Sequence, residues 1–225
     1  FANRAKAHYD GKEWAEAVVD YEYALKCDPS PPPFYVALGN VKRRVGDYAG
    51  ALAAFDHLIA LYPQAPEAGI AYQERAIARQ FNGDLPGAIA DYRQVVVLTP
   101  AHADYAQFFI WTARARLGER PAADAELVVH FKARAPNSAG DWAATISGFL
   151  LGAVTEADFL AAAQKGTDAS QVKGQACEAW YYSGLKRLLA GERAGAADCF
   201  RRCVATDMRY FIEYDLADHE LAGLK

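Results

Sequence analysis

Methionine is nearly missing from this chain, with one in 225 residues. Alanine is abundant instead, a composition that suits helices packed at short range. Cysteine is scarce as well: four residues are too few to staple a chain of this length. No CxxC pair and no cluster of histidines accompanies them, which leaves no recognisable zinc pattern. His8, His57, His102, His130 and His219 are scattered, and none lies four residues from another. The sequence contains no GxSxG elbow, phosphate-binding loop, HExxH or GxGxxG, so the common catalytic signatures are missing. No run of 18 apolar residues occurs, so nothing here reads as a membrane span. The net charge of −4 gives no electrostatic reason to expect nucleic acid.

The residues that are present can build a core. Just over half are apolar and 12% are aromatic, enough for one large domain or two small ones. Cys27 reads as ending one helix and Cys177 as beginning another, while Cys199 and Cys203 sit four apart on a third. They read as small buried apolar residues; one disulfide, for example from Cys177, is left open. The chain opens at Phe1, reads as starting inside a helix, and is expected to be a fragment or a processed form.

Alanine recurs at one structural position: Ala17, Ala51, Ala88, Ala123 and Ala196. The intervals are 34, 37, 35 and 73 residues, the last spanning two repeats. Each alanine follows a turn such as Gly46-Asp47-Tyr48 or Gly83-Asp84-Leu85. Prolines close the units at Pro29, Pro63, Pro100 and Pro136. Small residues recur on the preceding helix too, at Ala5, Gly39, Ala76 and Gly184. A large residue follows each alanine by four: Tyr21, Phe55, Tyr92, Leu127 and Phe200.

This pattern resembles the tetratricopeptide repeat, a 34-residue helix-turn-helix unit. The resemblance implies an all-α, right-handed superhelix with a C-terminal capping helix. Small residues let helix A and helix B of each unit approach. Residues 1–136 are expected to form four helix pairs. Residues 137–225 are expected to add a degenerate pair, a last repeat and a cap, continuous with the first part. Trp111 stands where a small residue is expected, so the fourth unit should open or shift. Trp142 to Leu151 and Thr155 to Gln164 read as two short helices around Gly152, with a capping box at Thr155 and Asp158. Tyr210 to Leu221 reads as the final helix, which a stack needs to cover its last apolar face.

The C-terminal part also resembles the NlpI-like bacterial lipoproteins. The residues that carry this are Trp142, Leu151-Gly152, Glu178, Tyr182, Gly184, Phe211, Glu213 and Glu220-Leu221. That likeness implies a periplasmic, envelope-anchored adaptor, without naming its clients. A cytoplasmic assembly or chaperone-like factor of the same architecture is a second reading, and an enzyme of unassigned class a third.

Candidate chemistry is sparse. His130 is placed at a buried helix B position, as a hydrogen-bonded core residue. Glu178 and Glu213 read as paired carboxylates or, preferably, as structural acceptors from Arg or backbone groups. Asp168-Ala169-Ser170 reads as a loop. No catalytic residue, metal ligand or cofactor is assigned.

A binding surface is better defined. Helix A residues of a repeat superhelix line its inner face. These are Val36, Asn40, Arg43 and Arg44, then Gln73, Ile77, Gln80 and Phe81, then Phe108, Thr112 and Arg116. Such a groove offers apolar pockets and guanidinium forks to a peptide or helix of a partner protein. The plainer alternative is that the arginines pair with neighbouring acids. Lys42, Arg79, Arg114 and Arg187 share one helix A position, and stacking would align the first three as a basic ladder; its stems should pack on aromatics with heads in water, or else the ladder attracts an acidic partner segment. Asn40 matches one position of a known carboxylate clamp, but Val36 stands where its Lys should be, so that clamp is not expected. Tyr181, Leu185, Leu188 and Leu189 either seal a homodimer or pack under the last helix.

Overall fold

The computed structural model describes residues 1–63, 66–134 and 141–224. Pro136 lies outside them. Among the described residues there are thirteen α-helices, one short 3₁₀ turn and no strand. Helices α1 (Ala2–Asp10) and α2 (Trp14–Cys27) form the first hairpin. Then come α3 (Pro32–Arg44) with α4 (Tyr48–Leu61), and α5 (Pro66–Phe81) with α6 (Leu85–Leu98). The 3₁₀ turn Pro100–His102 leads into α7 (Ala103–Arg116) and α8 (Arg120–Ala133). The remainder is α9 (Trp142–Leu151), α10 (Glu156–Ala162), α11 (Ala169–Leu189), α12 (Arg193–Ala205) and α13 (Ile212–Leu224).

The turn chemistry explains where the hairpins break. Gly46, Gly83, Gly118 and Gly191 occupy one repeat position and all adopt φ near +80°. That region favours glycine because a β-carbon would crowd the following carbonyl. In the first repeat the same position is Lys12, with φ 62°. Gly11, the expected breaker, is right-handed at φ −78° and ends α1 one residue earlier. In the second and third hairpins the following aspartate caps helix B, whereas Glu13, Glu119 and Glu192 make no such side-chain bond. The Asp47 carboxylate accepts from Gly50 N at 2.8 Å and that of Asp84 from Gly87 N at 3.0 Å.

The chain divides into two compact units, Phe1–Ala113 and Arg114–Lys225. In the first, α1 packs on α2, α3 on α4 and α5 on α6, while α2 on α3 and α4 on α5 join successive hairpins. Small residues make the close approach. Ala5, Ala17, Ala51, Ala76 and Ala88 are fully buried, as are Phe55 and Tyr92. Each aromatic of this kind contributes about 2–3 kcal/mol by leaving water. Trp111 is also buried, at 1% exposure.

In the second unit, α11 packs on α12 and α13, and α9 and α10 lie against α11. Phe159 stacks on Trp142 at 5.2 Å and on Phe149 at 4.3 Å. The helix α11 corrects two expectations. It starts at Ala169, so Cys177 lies in its middle, and Asp168 is its N-cap, accepting from Gln171 N at 2.9 Å. Gly174 weakens the local helix signal. It is there because a β-carbon would lie 2.9 Å from the Phe211 ring. Thr155 caps α10 by accepting from Asp158 N at 3.1 Å, but the Asp158 carboxylate takes the Thr155 hydroxyl proton at 2.7 Å, so only half of a capping box forms. Tyr181 and Leu185 are fully buried within this unit. Of the four residues expected to seal a homodimer or pack under the last helix, only half-buried Leu188 and exposed Leu189 keep surface. Cys27 is exposed, unlike the other three cysteines.

Candidate functional site

The first unit carries a cavity of about 730 Å³. One wall is a single face of α1: Asn3, Lys6, Tyr9 and Asp10. The opposite wall is Phe34, Val36, Ala37 and Asn40 on α3, and Ile70 of α5 closes one end. The lining is mostly apolar, and its volume falls in the range that ligand-binding clefts occupy. Val36, Ala37 and Asn40 are half-buried, and Ile70 keeps 45% of its surface. Asn40 Oδ1 is covered yet has no hydrogen-bond partner among the described residues. A buried acceptor of that kind costs free energy until a donor arrives. Lys6 is held by Asp10 at 2.7 Å on the exposed rim, and that bond raises its pKa.

Of the residues expected to line a groove, Val36 and Asn40 stand in this cavity. Arg43 lays its guanidinium 5.0 Å from the centre of the Phe81 ring, and exposed Arg44 lies 5.4 Å from that of Trp14. Both stacks are cation–π contacts. Gln73 meets His102 at 2.8 Å. The others are inside the fold. Ile77 and Gln80 are 4% and 6% exposed, and Phe108 and Thr112 are fully buried. Gln80 accepts from the Tyr92 hydroxyl at 3.1 Å, and Thr112 donates to the Phe108 carbonyl at 2.9 Å. These four have no free surface in this chain. Arg116 belongs to the second unit, where it pairs with Glu220 of α13. Burial works against its charge, but Tyr181 and Glu220 outweigh that and raise its pKa.

The sequence reading missed the α1 wall. Asn3, Lys6 and Asp10 follow a three-then-four spacing, which is one helical face, so the signal was available.

The basic ladder resolves into clasps. Each cation reaches the acid five residues on, which is the N-cap residue of helix B. Lys42 meets Asp47 at 3.5 Å, Arg79 meets Asp84 at 3.5 Å, Arg114 meets Glu119 at 2.9 Å and Arg187 meets Glu192 at 3.5 Å. His8 and Glu13 make the same contact in the first repeat. A second acid completes each clasp: Glu22 for Lys42 at 2.7 Å, Asp91 for Arg79 at 2.8 Å, Glu126 for Arg114 at 3.0 Å and Glu156 for Arg187 at 2.9 Å. The heads are therefore paired with acids rather than left in water. The ladder presents no array of open charge.

The carboxylates Glu178 and Glu213 are structural acceptors; Glu213 takes a backbone N–H, as expected, and each also takes a donor from an aromatic side chain. Glu178 takes the Trp142 indole N–H at 2.6 Å, and Glu213 takes the Tyr182 hydroxyl at 3.1 Å. Both are 3% exposed. Burial pushes Glu213 up to about 7, against the pull of the Tyr182 bond. His130 is half-buried on the flank of α8, its ring edge-on to Phe131 at 5.3 Å, and is not a core residue. Among the described residues no group of three or more His, Cys, Asp or Glu is placed to hold a metal ion. No described helix is long and apolar enough to cross a membrane.

No family model matches the chain. Its backbone does match solved structures. A tetratricopeptide repeat protein from Parabacteroides merdae superposes over 96% of this chain and 96% of its own, at TM-score 0.54 and 14% identity. PilW, a widely conserved type IV pilus biogenesis factor, superposes over 96% of this chain and 95% of its own, at TM-score 0.53 and 14% identity. The fold is that of a tetratricopeptide-repeat protein. At this identity the likeness is one of architecture.

Proposed function

We propose that the chain is a non-catalytic scaffold whose first unit holds a segment of a partner protein between α1 and α3. The observation that carries this is the apolar cavity with the unpartnered Asn40 oxygen at its wall. A backbone N–H of a bound segment would satisfy that acceptor, and Val36, Ala37 and Ile70 would seat apolar side chains. Arg43, Phe81 and Arg44 extend the surface beyond the cavity.

The finer form of this proposal is an adaptor of the bacterial cell envelope, acting in the periplasm. It is supported by the likeness to NlpI-like lipoproteins over residues 142–221. The residues that carry that likeness include two struts of the second unit, Trp142 to Glu178 and Tyr182 to Glu213, and Glu220, which holds Arg116.

A photo-reactive amino acid at Val36 or Ile70 tests the groove in the native cell. Both sites should capture the same partner, and a control at exposed Val129 should not. Equal capture at all three positions, or loss of none of it on Val36→Glu, removes the cavity as the binding surface. Recovery of the native protein from the cytosolic fraction removes the envelope assignment.

A further inference from the structure

In the second unit, Cys177 on α11 and Cys203 on α12 bring their sulfurs to 3.4 Å. Both are fully buried, and the pair spans 26 residues of sequence. Nothing in the binding surface uses them. We propose that Cys177 and Cys203 are a covalent cross-link site, closed into a disulfide that bolts the last helical hairpin when the chain folds in the presence of a low-molecular-weight disulfide. A disulfide needs about 2.05 Å between sulfurs, so a modest side-chain movement suffices.

The step is thiol–disulfide exchange. One thiolate of the pair attacks a sulfur of oxidised glutathione, breaks its S–S bond and releases one glutathione thiolate. The second cysteine thiolate then attacks the protein sulfur of the mixed disulfide and releases the other. Two protons leave the cysteines, and their two electrons reduce one oxidised glutathione to two thiols. Within the second unit the close contact is made by Cys177 and Cys203. Cys27 is exposed on α2 in the other unit, and Cys199 stands one turn before Cys203 on the same helix. The hydrogen bond with the Cys177 thiol, followed by burial, raises the Cys203 pKa and holds it in its protonated form. Cross-linking therefore belongs to folding, before water is excluded, and the native dithiol should react on the order of tenfold more slowly or worse.

The test uses the full chain, unfolded in urea and refolded in oxidised glutathione, then alkylated and weighed intact. The expected product has lost two hydrogens, and peptide mapping joins the Cys177 and Cys203 peptides. Its thermal midpoint rises and returns on reduction. A Cys27→Ser/Cys199→Ser variant should give the same product, and Cys177→Ser should not. A fully reduced product, or a bridge that uses Cys27 or Cys199, overturns the proposal. The wild-type peptide map decides even if Cys177→Ser fails to fold.

Discussion

A β-carbon built on Gly39 would lie 2.4 Å from the tip of the Phe55 ring, closer than any real contact. Gly184 stands in the same relation to Phe200, at 2.7 Å. In each pair the two residues are sixteen apart in sequence, and both pairs occupy the same place in their repeats. Substituting Gly39→Ala sets two effects against each other. Helix propensity favours alanine by about 1 kcal/mol. The clash with a fully buried ring on a packed helix costs about 1–3 kcal/mol. The clash should win, and thermal unfolding should show a lower midpoint. Adding Phe55→Leu should recover part of the loss, because the shortened side chain vacates the space.

Lys12 holds a left-handed backbone where the other hairpins have glycine. Lys12→Gly removes that strain and should stabilise the chain by about 0.5–1 kcal/mol, despite glycine's greater freedom when unfolded. Gly46→Ala imposes the same strain on the second hairpin and should destabilise by a similar amount. Chemical denaturation of the two variants side by side checks the opposite signs.

Arg4 with Asp20 and Arg75 with Asp91 are one pair repeated, again sixteen residues apart. Arg75 gives Asp91 two hydrogen bonds, at 2.9 and 2.6 Å, and Arg79 gives a third at 2.8 Å. Arg75 is well covered, whereas Arg4 leaves 61% of its side chain in water. Asp91→Ala removes three charged hydrogen bonds from two covered guanidinium groups, leaving Arg75 with Asp56 and Arg79 with Asp84, and should cost about 2 kcal/mol. Asp20→Ala should cost clearly less, since water takes over Arg4. Equal losses in denaturant titrations would contradict this account.

Glu213 carries a pH dependence. Its pKa is about 7 in the fold, against 4.5 for an ordinary glutamate. The folded state therefore holds a proton that the unfolded state has lost between those values. Stability is fully present below the unfolded pKa and falls as pH rises towards 7, by about 3 kcal/mol in all. Wild type should be less stable at pH 8 than at pH 5 relative to Glu213→Gln, which keeps an acceptor for Tyr182 without the charge. Urea midpoints at the two pH values give the comparison; parallel shifts of both proteins would rule Glu213 out as the cause.

Much of the architecture could be read from spacing. The alanines at 17, 51, 88, 123 and 196 are all buried, and Trp14, Tyr48 and Leu85 each begin a helix as their positions required. The start of α11 was not legible, because Gly174 serves the Phe211 ring rather than a turn. The binding surface was legible only in part. Val36 and Asn40 were found, while Ile77 and Phe108 share their helical phase and yet lie inside.

What the sequence decided alone was local: where helices break, which face of each is small, and that a large side chain answers each small one sixteen residues on. Those features follow from backbone sterics and a 3.6-residue period, and both act within a few turns. Periodicity assigns a residue to a face but does not say what covers that face. The partners of Glu178, the clasps of the basic ladder and the hollow between α1 and α3 were settled by tertiary structure. Long side chains choose among donors and acceptors that only folding brings within 3 Å, and a cavity exists only where two walls meet.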